Sequence, residues 1–348
     1  MKLHFFEYYQ LSEEEIKKLW SESLFIFDAN VLLDLYRYTK ETSDDLIEIM
    51  KKLKKQNQLW IPHQVGYEFH KHRREIIYKQ KRAYDKAVSI FREGLVQYID
   101  SSLNTQDCIQ HPYIKGEKYK QELMDAAKKI TIELDSLKRS HPKLEKEDKI
   151  LEAITECFAD CTGNPYLPEK LLKSHEEAQK RIDNKIPPGY LDNKKDIPEK
   201  YGDYIVWEQI IDNAKETKKS VIFITRDQKE DWWQKIHEET ISARYELIRE
   251  LKDKAEVRLY MYETSNFIKH AKQSLQLTLK ANTISEIKEI TESDKRLAEA
   301  IIASQVTDLS QISKELTYAV KGDTGIASGT PSLSNVGEVP LPDIAVSK

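Results

Sequence analysis

The chain has 348 residues, 39% of them apolar and 33% charged, with a net charge of −4. That length fits one large domain with additions, or two domains, and the charge leaves no global signature of nucleic-acid binding, so any basic surface must be local. Three cysteines (Cys108, Cys157, Cys161) without paired CxxC spacing support neither a disulfide framework nor a zinc site, and read as ordinary reduced thiols. The N-terminus lacks an apolar leader core and no run approaches membrane-spanning length. A soluble, cytoplasmic protein without membrane contact is expected, and a mean hydropathy of −0.65 points to long exposed helices.

In chain order, 24-LFIFDANVLLDLYRY-38 reads as a short buried strand ending at Asp28. A helix follows with Leu32, Leu33, Tyr36 and Leu35 on its buried side, and a second helix is expected from Ser43 to Lys55. Leu59 to Ile61 suggest another strand. Pro62 then opens a helix whose apolar stripe includes Val65, Phe69 and Ile76. Strand and helix alternate, which predicts crossovers and a parallel sheet.

From about residue 79 to 185 that rhythm stops, and the charged sequence reads as several helices inserted into the α/β domain. It returns after the Pro- and Gly-rich loop 186-IPPGYLDNKKDIPEKYGD-203, with a helix over 203–217, a buried strand over 220–225, a strand over 256–262 and a helix from Ser265. The expected organisation is therefore a discontinuous α/β domain (1–78 and 186–270), a helical insertion (79–185), a C-terminal helical region (271–320) and a tail (321–348) whose loop composition predicts disorder.

In a parallel sheet, functional groups collect outside the carboxyl ends of the strands. Asp28 ends the first strand, and Asp227 follows 221-VIFIT-225 by two residues. Glu68 lies on the helix after the second strand, and Asp203 starts the helix leading into the next. Asp231, four residues after Asp227, would share its face if a helix followed the strand. Taken singly, Asp28 and Asp203 read as turn or N-cap residues, Glu68 as a solvated helix residue, Asp34 as an exposed one, and Trp232 and Trp233 as packing. Taken together, convergent carboxylates in a partly buried site need a compensating cation, and an all-oxygen set suits Mg²⁺ or Mn²⁺. Such an ion activates water and stabilises charge on a phosphate, which makes a phosphodiester the natural substrate.

The segments FIFDANVLLDLY, LWIPHQVGYEFHKHRRE, PPGYLDNKK…KYGDYIVWEQII and VIFITRDQKEDWW, in this order, resemble a PIN-like nuclease of the bacterial branch with a long helical insertion. The likeness covers residues 22–78 and 186 to about 270. It implies a Rossmann-like sheet with an acidic pocket that binds Mg²⁺ or Mn²⁺ and hydrolyses RNA, or single-stranded or structured DNA, by a metal-activated water. Carried over by position, Asp28, Glu68, Asp203 and Asp227 are the catalytic and metal-holding acids. Asn30 and Thr225 match small polar supports, and Lys195, Lys229 and Asp231 match polar positions of the branch.

A polyanion beside such a pocket needs flanking cations. The run His70, Lys71, His72, Arg73 and Arg74 begins just after Glu68 and offers a phosphate track, its plainer reading being a solvated charged helix. The resemblance also implies roles in bacterial defence or as a toxin, and the insertion suggests a protein partner or self-association. A phosphatase of the haloacid dehalogenase type would need a second aspartate where this chain has Asn30. A rival of another class is a catalytically silent binding or regulatory protein that acts through its helical insertion.

Overall fold

Residues Leu24–Phe27 (β1) are apolar at four successive positions and all four are buried, as a strand covered on both faces requires. In the computed structural model, which describes residues 1–103, 112–113, 115–237, 239–297 and 300, β1 is one strand of a three-stranded parallel sheet. Its neighbour Val221–Thr225 (β2) is central and buried throughout, and the order runs β1, β2, then Leu259–Glu263 (β5). Phe27 pairs with Ile224, and Ile224 in turn with Tyr262. The remaining strands, Trp233–Ile236 (β3) and Glu239–Ala243 (β4), form a separate antiparallel hairpin.

Helices before, between and after the strands cover and extend this sheet. Glu13–Glu22 (α1) begins with a capping box in which the Ser12 and Glu15 side chains bond each other's backbone N–H. Ala29–Asp34 (α2) and Lys40–Lys55 (α3) follow β1, and His63–Ser89 (α4) runs through a π turn into Leu95–Leu103 (α5). Gly116–Ser140 (α6), Lys149–Phe158 (α7) and Pro168–Asp183 (α8) make up the rest of the insertion. Gly202–Thr217 (α9) leads into β2, while Tyr245–Ala255 (α10) and Thr264–Ser274 (α11) flank β5. Residues Met1–Thr291 form one compact unit. The second, Glu292–Lys348, is described only at residues 292–297 and 300, which are helical.

The connections decide where a site can form. After β1 the chain passes through α2 and α3 to Leu59, which bridges to Phe25 on one side of β1. After β2 it goes the opposite way, through the hairpin and α10 to β5. The carboxyl ends of β1 and β2 therefore flank a topological switch point, where a crevice opens. Helices α4 and α9 run back along the sheet, which puts their N-terminal turns at the same end.

The expected α/β rhythm and the buried positions Leu32, Leu33, Leu35, Tyr36, Val65 and Phe69 are all present. Several details differ. The expected strand at Leu59–Ile61 is reduced to two parallel bridges, Phe25 with Leu59 and Ile61 with Thr162. Pro62, which lacks an amide hydrogen, ends the pairing and caps α4. No helix follows β2; residues 226–232 form a loop into the β3–β4 hairpin, so Asp231 does not share a helix face with Asp227. Asp34 is not exposed: it is 1% accessible and bonds Arg37 and Arg226, each at 3.0 Å. The position between residues 78 and 79 lies inside α4, so the insertion continues that helix rather than starting anew. Cys157 is buried and Cys161 half-buried, both free thiols. No helix among the described residues is long and apolar enough to cross a membrane. The expectations for Cys108, for the C-terminal region beyond residue 300 and for the tail fall outside the described residues.

One buried cluster ties the insertion to the sheet layer. Arg181 of α8 donates to both oxygens of Glu250 on α10, at 2.8 and 2.7 Å, and Trp207 of α9 adds its indole N–H at 2.8 Å. Burial would push the Glu250 carboxyl up, but the Arg181 guanidinium, aided by Lys254 and Trp207, outweighs it and holds it at about 2. A folded value below the unfolded one contributes stability that is complete above the unfolded value and is lost as pH falls through the folded one. Replacing Glu250 by Gln leaves Arg181 buried without its counter-ion and should cost about 3 kcal/mol in urea unfolding at pH 7. The gap between wild type and variant should narrow as pH falls from 4.5 towards 2. Equal stability of the two proteins at pH 7 would show that the pair does not fasten α8.

Candidate active site

Asp28 follows the last residue of β1 and does two things at once. Its Oδ1 accepts the Ala29 N–H at 2.7 Å, capping α2, while Oδ2 accepts from Asn30 Nδ2 at 2.6 Å and Thr225 Oγ1 at 2.7 Å. Asn30 Oδ1 accepts the Arg226 N–H at 3.0 Å, and Thr225 Oγ1 accepts the Asp227 N–H at 2.9 Å. These two small polar residues thus knit the end of β1 to the end of β2. Burial, and then Glu68, Asp203 and Asp227, push the Asp28 carboxyl up to about 7, against the Thr225 hydrogen bond that lowers it. Four sequence-distant acids therefore stand close enough to feel one another.

Glu68 lies in the second turn of α4, with Oε1 held by Gln64 Nε2 at 2.9 Å. It packs so closely on the start of α9 that a Cβ on Gly202 would come within 2.7 Å of Oε1. Burial, and then Asp203, raise its carboxyl above the ordinary value. Asp203, in the first turn of α9, accepts at Oδ2 from Lys229 Nζ at 3.0 Å and from Trp232 Nε1 at 3.2 Å. Asp227 accepts the Lys229 backbone N–H at 2.8 Å and faces its ammonium at 3.0 Å, while its carbonyl accepts Trp233 Nε1 at 2.6 Å. Both tryptophans are packed, and both also fasten the site through their indole N–H groups.

Two residues play larger parts than their sequence positions suggest. Asp192, on the 3-10 turn Tyr190–Asp192, is buried and accepts from Lys229 at 3.0 Å and Lys195 at 2.6 Å. Lys229 thus bonds Asp192, Asp203 and Asp227 together. Burial pulls its ammonium down, but Asp203, Asp227 and Asp192 outweigh that and keep it protonated. Asp231 turns to the neighbouring loop: its Oδ2 accepts the Gly189 N–H at 2.9 Å and the Leu191 N–H at 3.3 Å. Burial raises its carboxyl to about 6, against the pull of Lys229. Gly189 has φ +89°, and a Cβ there would come within 3.2 Å of Asp203 Cβ, so the loop approaches the site through a position suited to glycine.

The basic run divides. Lys71 and His72 line a groove of about 940 Å³ that reaches Glu68, Gly202 and Asp203 and also includes Tyr67, Lys194 and Lys195. Lys71 pairs with Glu199 across it. Arg73 is committed to Asp148, the residue that caps α7 and accepts the Tyr36 hydroxyl. His70 sits against Phe69 and lines a different depression, and Arg74 is exposed.

As a donor set, Asp28, Glu68, Asp203 and Asp227 offer hard oxygens only, which fits a divalent cation of the Mg²⁺ or Mn²⁺ kind. The Lys229 ammonium between Asp203 and Asp227 acts as a stand-in cation for part of that set. Among the described residues, no three acids, histidines or cysteines are drawn tightly enough together to share one ion as they stand.

Asp28 generates a pH prediction. Its folded value of about 7 lies above the unfolded 3.8, so the folded protein takes up the proton first. That contribution is complete below the unfolded value and is lost as pH rises through about 7. In EDTA, the melting temperature of the wild type should fall from pH 5 to pH 8, with a shallower slope in Asp28→Asn. Identical slopes in the two proteins would remove Asp28 as the source.

The family described as PIN like domain matches residues 24–247. Neither a curated protein nor a solved structure matches the chain. The matched span includes β1, the switch point, the inserted helices and all the acids above. The chain belongs to the PIN-like domain family, whose domains are generally nucleases and typically use divalent metals.

Proposed function

We propose that this protein is a metal-dependent nuclease that hydrolyses phosphodiester bonds in RNA, or in single-stranded or structured DNA. The observation that carries this reading is the meeting of Asp28, Glu68, Asp203 and Asp227 at the switch point, with a cation already drawn between two of them. Asp28, Asp203 and Asp227 would hold a Mg²⁺ or Mn²⁺ ion, with Glu68 completing or orienting the set. Bound there, the ion would activate water and neutralise charge developing on the phosphate.

The chain's own residues supply the rest. Asn30 and Thr225 fix the Asp28 carboxylate from the β2 side, so its orientation does not depend on the substrate. Trp232 and Trp233, both buried, pin the loop that carries Asp227 through their indole N–H groups. The groove beside Glu68 and Asp203 offers Lys71, Lys194 and Lys195 to phosphates, and Tyr67, half of it accessible, offers a face for an unpaired base. Among the described residues, no base-reading arrangement supports a sequence preference. RNA as the favoured substrate, and a role in bacterial defence or toxicity, rest on the family resemblance.

Cleavage of end-labelled single-stranded RNA and DNA tests the reading. Mn²⁺ or Mg²⁺ should support cutting and EDTA abolish it, and Asp28→Asn, Asp203→Asn or Asp227→Asn should each lower the rate by about 100-fold or more. Metal-independent cutting, or full activity in all three variants, would sink the assignment. Folded wild type that binds these strands without cutting them would instead support the silent binding protein.

The groove makes a separate prediction. Lys71→Ala should weaken substrate binding across all sequences and reduce the slope of log affinity against log salt by about 1. An unchanged salt slope would place the strand elsewhere.

A further inference from the structure

Lys229 opposes the use proposed for its neighbours. Its ammonium lies 3.0 Å from Asp203 Oδ2 and 3.0 Å from Asp227 Oδ2, in the space between two acids assigned to a divalent ion. An ion such as Mg²⁺ takes oxygens at about 2.1 Å. It cannot share those two oxygens with an ammonium already seated on them, and two positive centres so close in a half-buried site repel strongly.

A third partner gives the ammonium somewhere to remain. Asp192 lies 3.0 Å from Lys229 Nζ through Oδ1, and its other oxygen is held by Lys195 at 2.6 Å. Its side chain is 6% exposed, and it comes from the 3-10 turn Tyr190–Asp192 rather than from a strand end. The Lys229 backbone is fixed, since its N–H is bonded to Asp227 Oδ1 at 2.8 Å. Only the flexible side-chain stem has to move for the ammonium to leave Asp203 and Asp227 while keeping Asp192.

Resting on the metal-dependent reading above, we propose that Lys229 is a built-in counter-ion that competes with the divalent cation for Asp203 and Asp227, and that Asp192 is the seat retaining it when the cation binds. Lys229 is then a positioning residue. It keeps like-charged carboxylates assembled when the cation is scarce, and it raises the cation concentration at which the site loads. Asp192 works in the opposite direction, drawing the ammonium away from the acids the cation needs.

The test is Mn²⁺ binding to the full chain after EDTA stripping, followed by calorimetry or by the electron paramagnetic resonance of free Mn²⁺. Lys229→Gln should tighten binding by about tenfold or more, as expected when a competing charge leaves a half-buried site. Asp192→Asn should weaken it, because the ammonium is left to Asp203 and Asp227 alone. In Asp192→Asn/Lys229→Gln the effect of the Asp192 change should vanish, leaving the affinity of Lys229→Gln. A folded Lys229→Gln that binds no tighter than wild type overturns the proposal. So does equal weakening by Asp192→Asn in both backgrounds, which would reflect loss of negative charge alone. If Lys229→Gln does not fold, Asp192→Asn still decides: unchanged or tighter binding overturns it. Absence of Mn²⁺ binding in both wild type and Lys229→Gln would sink the metal reading itself, a result distinct from Mn²⁺ binding that Lys229→Gln leaves unaltered.

Discussion

A half-buried ammonium shared by Asp192, Asp203 and Asp227 lets acids from a loop, a helix start and a strand end stand side by side. Like charges brought out of water repel, and each pays a desolvation cost as well. The protein meets this in three ways. Lys229 supplies positive charge at the centre. Asn30, Thr225 and the Ala29 N–H donate hydrogen bonds to Asp28. Where donors do not suffice, the carboxyl value rises, as burial and its acidic neighbours raise Asp28 to about 7.

The scaffold makes that arrangement possible through topology. The crossovers leave β1 and β2 in opposite directions, which opens the crevice between their carboxyl ends. Helices α4 and α9 run back along the sheet and deliver Glu68 and Asp203 to the same rim. The loop between α8 and α9 then closes one side. Asp231 holds its backbone at Gly189 and Leu191, and Arg181 holds the carbonyl of Pro187 while gripping Glu250. The inserted helices are thus connected to the site through α8 and this loop, which carries Asp192 and Lys195.

Much of the site was legible in the sequence because its acids follow simple local rules. Asp28 follows a wholly apolar strand, Asp227 follows a mostly apolar one that ends in Thr225, and Asp203 begins a helix, so their placement follows once the sheet is taken as parallel. Asn30 and Thr225 were matched as small polar supports only through the family resemblance. Asp34, Asp192 and Lys229 were harder, because their surroundings come from distant segments. Asp34 looks like any helix residue until Arg226, nearly two hundred positions later, arrives beside it. The basic run was legible as a run but not in its division, since Arg73 is drawn off by Asp148 across the insertion.

Residue order alone dictates the alternation of buried strands and amphipathic helices, and hence a parallel α/β sheet with acids at its strand ends. Period and residue type act over a few positions, and they suffice for that. Contacts between distant segments settle that the chain after β2 becomes a hairpin, that both tryptophans bond the site, and that Lys229 rather than a surface partner balances its acids. The physical reason is that charge compensation in a half-buried site depends on distance in space, and the 3.0 Å contacts of Lys229 with Asp192 and Asp203 join residues 37 and 26 positions apart.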